Sequence, residues 1–330
     1  MSDETPAGTA PWPPPRPGAP AGSNWGVFGD DDEYGTLNYL TPAAVRAAAS
    51  CVRDGRVFPL NLPVNLPSGR PIGRPEHAKT AHIRNMSFDG IVVNDDHIVL
   101  ATQGSSQWDS FVHVGAEEEG QPGVFYNGVG KEAVGEDGYV HRNGIDKIAQ
   151  RGIAGRGLLL DVARLVAGGA SDPLPADHVI DEAELSACLR HQGAEIRPGD
   201  IVCLRTGWVE AYLDADEAGR AELMEPVGWT MAPASPGITP DLAPLARHQQ
   251  WAAVVADNLA VEASPFRPDN ARSAHVRMLR NLGLPFGELF LLRDLAAAAA
   301  ADRRYDFLFV AAPLWIPGGM GSPANAIALR

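Results

Sequence analysis

Four short apolar runs constrain the fold most. Residues 157–162, 200–206, 251–257 and 307–312 carry apolar side chains at consecutive rather than alternate positions, over lengths that suit strands better than helices. Strands of that kind are buried on both faces, so the sheet they form must be covered by other layers. Helix signals lie between and before them. Thr41 followed by Pro42 opens an Ala-rich run reaching Val52, an N-cap with proline in the first turn, and residues 181–192 read as a helix between two of the buried strands. Residues 57–64 and 96–103 are β-branched and apolar stretches bounded by Pro, Gly or Asp, and are expected as further strands. The expected class is therefore α/β, a single domain with a central mixed β-sheet or barrel-like β-layer flanked by helices.

Domain organisation follows from where the composition changes. The first 24 residues are dominated by Pro, Ala and Gly and lack core-forming side chains, so residues 1–24 are expected as a disordered or extended tail, without the organisation of a secretory signal. Residues 25–330 contain no linker and no internal repeat, which predicts one domain. The 27 Lys and Arg against 41 Asp and Glu give a net charge of −14, which would repel a phosphate backbone and argues against nucleic acid as a partner. No apolar run approaches the roughly 20 residues of a membrane span. Cys51, Cys188 and Cys203 fit neither a disulfide framework nor a Cys-rich zinc site and are expected as buried thiols in a reducing cytoplasm. A small-molecule substrate and self-association into a homo-oligomer are the expected partnerships.

Polar chemistry concentrates in one stretch, Gln103-Gly-Ser-Ser-Gln107-Trp108-Asp109-Ser-Phe111-Val-His113. An extended chain would place Gln103, Gln107, Asp109 and His113 on one face, and a helical turn would still bring Asp109 and His113 together. Both conformations gather groups that bind metals or move protons. A half-buried edge strand with solvated polar residues would show the same spacing, so spacing alone leaves the two readings open.

These residues resemble the cyclase-like superfamily that includes bacterial kynurenine formamidase, isatin hydrolase and some polyketide cyclases. Its signature, His-x-Gly-Thr-His-x-Asp-x-Pro-x-His, places its Asp on Asp109 and its last His on His113. The first two His fall on Gln103 and Gln107, and the Pro, on Phe111, is not reproduced. The pattern Gln-x-x-x-Gln-x-Asp-x-x-x-His is similar to that of the trans-dienelactone hydrolase branch. Downstream, His275 and Glu288 stand in the order of the family's metal ligands, and the resemblance runs from Trp25-Gly through Gly199-Asp-Ile-Val to Gly321-Ser-Pro323. It implies the swivelling β/β/α type of fold and a metal-dependent hydrolase.

On that resemblance Asp109, His275 and Glu288 are the expected ligands of one Zn2+, with Mn2+ as the alternative, matching the about three protein ligands of a catalytic zinc site. Neutral amides are weaker ligands than imidazole, so Gln103 and Gln107 are expected either as weak ligands or as hydrogen-bond donors to substrate. His113 is the expected proton shuttle, because imidazole titrates near neutral pH. Asp257 is expected to orient a ligand His, and Trp108, Phe111, Phe125 and Tyr126 to line the pocket or fill core. The resemblance implies opening of a small cyclic ester or amide, a dienelactone-type lactone foremost. An arylformamidase, a polyketide cyclase and a metal-free binding protein are the alternatives. The glycine-rich 318–323 lacks the Lys of a phosphate loop and reads as a tight turn, and Ser105 and Ser106 lack the setting of a nucleophile.

Overall fold

Leu158, Leu159, Leu160, Ile201 to Leu204, and Ala252 to Ala256 are all essentially inaccessible, and the strands they form are the centre of the molecule. The computed structural model describes residues 14–67, 74, 77–169, 171–227, 232–265 and 273–330. In chain order the strands begin with β1 (Val57–Pro59), β2 (Ala78–Phe88), β3 (Ile91–Val99), β4 (Gln107–Asp109) and β5 (Ile153–Asp161). They continue with β6 (Val179–Ile180), β7 (Ile201–Arg205), β8 (Pro226–Val227), β9 (Ala232–Pro233) and β10 (Gly237–Ile238). The last five are β11 (Ala253–Ala256), β12 (Phe286–Glu288), β13 (Asp306–Ala311), β14 (Gly321–Pro323) and β15 (Ala326–Leu329).

Nine of them make one mixed sheet, ordered β1-β15-β13-β5-β7-β11-β12-β4-β14. The four central strands, β5, β7, β11 and β12, are parallel, and the flanking pairs are antiparallel. Helices link β5 to β7 as the parallel arrangement demands. The helix Glu182–Gln192 starts where the Asp181 carboxylate accepts from the Glu184 N–H and stops at Gly193, whose φ of 65° is left-handed. Pro42–Ala49 is capped by Thr41 with proline in its first turn.

The sheet is curled. β14 closes one end of the strand order while β15 lies near the other, yet only Ala324 and Asn325 separate them in sequence. Pro323 and Ala326 are three steps apart and so at most about 11 Å from each other, which brings the two ends of the sheet together. Aromatic rings fill the space enclosed: Trp108 packs edge-on against Phe290 at 5.5 Å and against Phe309 of β13 at 6.0 Å. Trp108 is thereby core, with its indole N–H donating to the Ala324 carbonyl, and Phe111, buried against Tyr126, is core as well.

Several expectations change. The strand expected over 57–64 is confined to β1, and that over 96–103 ends at Val99, because its first half belongs to the hairpin β2–β3 rather than to the large sheet. Both faces of this hairpin are largely exposed, Met86, Phe88, Ile91, Val92, Ile98 and Val99 included. Within the stretch expected as a tail, residues 1–13 lie outside the described residues, whereas residues 14–24 pack on the body. Asn24, fully buried, donates to the Leu282 carbonyl and accepts from Arg247, and Arg16 donates to the Asn127 carbonyl. The three cysteines are free and buried. Among the described residues no helix is long and apolar enough to cross a membrane.

Candidate metal centre

The antiparallel register of β4 and β12 sets Glu288 opposite Gln107 and Gly287 opposite Trp108. Side chains alternate across a strand, so Trp108 points into the aromatic core while Gln107, Asp109 and Glu288 share the other face. Gln107 Nε2 donates to Glu288 Oε2 and fixes that carboxylate. Gly287 keeps the layer tight, since a Cβ there would press on Phe290 and Trp108.

His275 enters from a third direction. It opens the π-type helical turn His275–Arg280, and its ring meets Phe286 edge-on at 4.9 Å. Irregular turns of this kind recur at functional sites. Glu262 holds the ring: its carboxylate accepts from the Ala274 N–H at 2.7 Å, from Ser273 Oγ at 3.1 Å and meets His275 Nδ1. Nε2 then faces Asp109 Oδ2 at 3.6 Å and Glu288 Oε1 at 3.3 Å.

Ligand atoms of Asp109, His275 and Glu288 lie within 4.8 Å of one another, and all three residues are buried. Neither oxygen of Asp109 has a hydrogen-bond partner, although the residue is wholly inaccessible, and Gln107 Oε1 is likewise unpartnered. A buried carboxylate without hydrogen bonds is costly, and a bound cation removes the cost. One imidazole and two carboxylates also form a donor set that zinc and manganese accept. The residues therefore fit a divalent ion.

Electrostatics agree with that fit. Burial alone would raise the Asp109 carboxyl, yet the His113 and His275 imidazoles hold it below the ordinary carboxylate value. Burial opposes a charge on His275, but the carboxylates of Asp109, Glu262 and Glu288 around its ring raise it well above the usual imidazole value. Burial, with the Asp109 charge beside it, pushes Glu288 up to about 7. His113 sits at the rim with a quarter of its side chain exposed and Nε2 3.8 Å from Asp109 Oδ1. Burial lowers it, with Asp109 opposing.

A cavity of about 440 Å³ opens onto these groups, walled by Arg74, Gln103, His113, Glu262, His275 and Glu288 among others, and by apolar residues including Val114, Met224, Leu259 and Leu289. Asp109, His275, Glu288, Gln107 and His113 thus converge. Gln103 lines the wall, but its amide is committed: Nε2 donates to the Met320 carbonyl and Oε1 accepts from Thr102 Oγ1. Gly321 makes room for it, because a Cβ there would overlap the Gln103 amide.

Asp257 does not orient His275. Its oxygens accept from Thr206 N–H and Oγ1 and from the Gly207 N–H, closing the turn between β7 and the helix Trp208–Asp214. The carboxylate that orients His275 is Glu262, absent from the sequence expectation. His275 stands in a helical turn and Glu288 at the end of β12. Ser105 Oγ and Ser106 Oγ donate to the backbone carbonyls of Pro63 and Leu289. Of the stretch 318–323 expected as a tight turn, Gly318 closes a turn in which the Gly319 N–H donates to the Ile316 carbonyl, while Gly321–Pro323 is strand β14.

Residues 23–263 match the Cyclase family. A solved structure described as a novel cyclase is 36% identical, covers 93% of this chain and 99% of its own, and superposes with a TM-score of 0.81. An isatin hydrolase bound to the product analogue thioisatinate is 19% identical over 89% of this chain and 98% of its own, with a TM-score of 0.58. Isatin hydrolase A from Labrenzia aggregata, bound to benzyl benzoate, is 16% identical with the same coverages and TM-score. At these lower identities the likeness shows the fold alone. A comparison with curated proteins gave no match.

Proposed function

The chain belongs to the Cyclase family, and from that premise we propose that it is a metal-dependent hydrolase opening a small cyclic ester or amide. The observation that carries the reading is the Asp109 carboxylate, buried without a hydrogen bond beside His275 and Glu288, two residues that line the cavity. Zn2+ is the favoured ion and Mn2+ the alternative. Held by Asp109, His275 and Glu288, the ion would supply Lewis acidity toward the carbonyl and lower the pKa of water.

The protein's own residues do the rest. Glu262 keeps His275 Nε2 turned toward Asp109 and Glu288, and Gln107 holds the far oxygen of Glu288. Because burial lowers its pKa, His113 is neutral near pH 7 and accepts a proton from the attacking water, then returns it to the leaving oxygen or nitrogen. The apolar wall at Val114, Met224, Leu259 and Leu289 takes up the ring of a small substrate. One ion per chain suffices: Gln103 and Gln107 direct their amide nitrogens at Met320 and Glu288, and supply no imidazole for a second.

Among cyclic substrates we favour a dienelactone-type lactone, supported by the pattern Gln103, Gln107, Asp109, His113. Hydrolysis itself is also the chemistry named for the isatin hydrolases that share the fold. The test is a hydrolysis screen of lactones, lactams and formamides with metal analysis of the same protein. About one divalent ion per chain, with activity abolished by a chelator and restored by zinc or manganese, is the expected result. Full activity in metal-free protein would refute the reading.

A further inference from the structure

We propose that Arg74 makes this cavity selective for substrates that carry a carboxylate, which its guanidinium receives while the bond to be cleaved lies toward Asp109, His275 and Glu288. The proposal rests on the hydrolase reading above and names its substrate class.

Arg74 is half-buried in the same wall as His113, His275 and Glu288. Among the described residues no carboxylate oxygen lies within ion-pair distance of it, unlike Arg156, Arg205 and Arg330, each held by an acidic side chain. The two acids that line the cavity with Arg74 are otherwise engaged: Glu262 is taken by Ser273, Ala274 and His275, and Glu288 by Gln107 and His275. The cavity that Arg74 lines also has apolar surface, contributed by Pro67, Val114, Met224, Leu259 and Leu289. A cation in a partly apolar cavity loses solvation, and an incoming anion restores the balance. The planar fork of Arg matches a carboxylate by two parallel N–H donors, which a neutral carbonyl cannot use as well. Its field reaches the inner end of the cavity, where it acts on Asp109, His113 and Glu288. The competing role is that of a counter-charge for the three acids Asp109, Glu262 and Glu288.

Benzoate and benzamide distinguish the two roles by calorimetry on zinc-loaded protein, without any turnover. Arg74→Met should weaken benzoate by roughly 10- to 100-fold, the size of a lost charge-assisted hydrogen bond in a partly buried site. Benzamide should suffer far less and zinc content should stay at the wild-type level. Arg74→Lys should recover part of the benzoate affinity, because charge returns without the fork. In kinetics, Arg74→Met should raise KM for a carboxylate-bearing lactone much more than for its carboxamide counterpart. Equal losses for benzoate and benzamide, or loss of zinc from Arg74→Met, would overturn the proposal in favour of the counter-charge role. If neither lactone is turned over yet benzoate binding still depends on Arg74, the hydrolase reading fails and the carboxylate site stands.

Discussion

The Glu262 carboxylate meets His275 at Nδ1, on the opposite side of the ring from the Nε2 that faces Asp109 and Glu288. Such a contact fixes both the tautomer and the aim of a ligating imidazole. Glu262→Gln should therefore fold, because the amide still accepts from Ala274 N–H, but should bind zinc about 10- to 100-fold more weakly. Competition with a chromophoric chelator measures this. Unchanged affinity would mean that the helical turn alone orients the ring.

Why Glu262 escapes a reading of the sequence is plain from its surroundings. It lies in an irregular segment, paired with Ile238 by an isolated bridge, and reaches His275 only because the chain returns 13 positions later. No local spacing encodes that return. The partner of Gln103 is hidden for a similar reason, since its amide donates to Met320, 217 positions away. The buried strands, by contrast, are legible because burial on both faces demands consecutive apolar residues, as at Leu158 to Leu160 and Ile201 to Leu204. Asp109, His275 and Glu288 are named through the family resemblance, and the antiparallel register of β4 and β12 accounts for how two of them meet. The hairpin is the reverse case: apolar residues recur along Ile91–Val99, yet both faces are largely exposed, so pattern alone points to a core that this segment does not join.

Metal binding should depend on pH in a defined direction. Without metal, His275 is held well above the usual imidazole value and Glu288 is pushed up to about 7, so both carry protons at or below neutrality. Ligation requires the deprotonated forms. Affinity should therefore rise as pH rises through 7, and between about one and two protons should be released per ion near that pH. Calorimetry in buffers of different ionisation enthalpy counts them. A pH-independent affinity would show that these two residues do not ligate.

Self-association has a candidate surface in the β2–β3 hairpin. An isolated two-stranded hairpin is marginal in water, yet this one exposes Met86, Phe88, Ile91, Val92, Ile98 and Val99. A second copy is the expected cover: Lys79 and Asp96 pair across the hairpin itself, which leaves Arg84 on one strand and Asp95 on the other as complementary charges for an antiparallel pair of hairpins. Light scattering should report an oligomer for the native chain and a smaller species for the Phe88→Lys, Ile91→Lys double variant. A monomeric native protein at micromolar concentration would remove the hairpin from this role.

Holding a metal and moving a proton are separable at neighbouring positions of one strand and its exit. Asp109 is wholly buried and within reach of His275, whereas His113 lies at the rim, 3.8 Å from Asp109 and a quarter exposed. Asp109→Ala should fold, because it removes a carboxylate that no protein hydrogen bond satisfies, and it should lose the ion. His113→Ala should keep the ion and lose roughly 100-fold in kcat, the size of a missing general base. With His113 as base, activity in the native protein is present above its pKa and falls as pH drops through it, and burial places that limb below the ordinary 6.5. The limb should vanish in His113→Ala, and added imidazole should restore part of the rate. Metal stoichiometry and pH profiles on the two variants decide the assignment: an Asp109→Ala protein with a full complement of metal and native turnover would remove the whole site from the reaction.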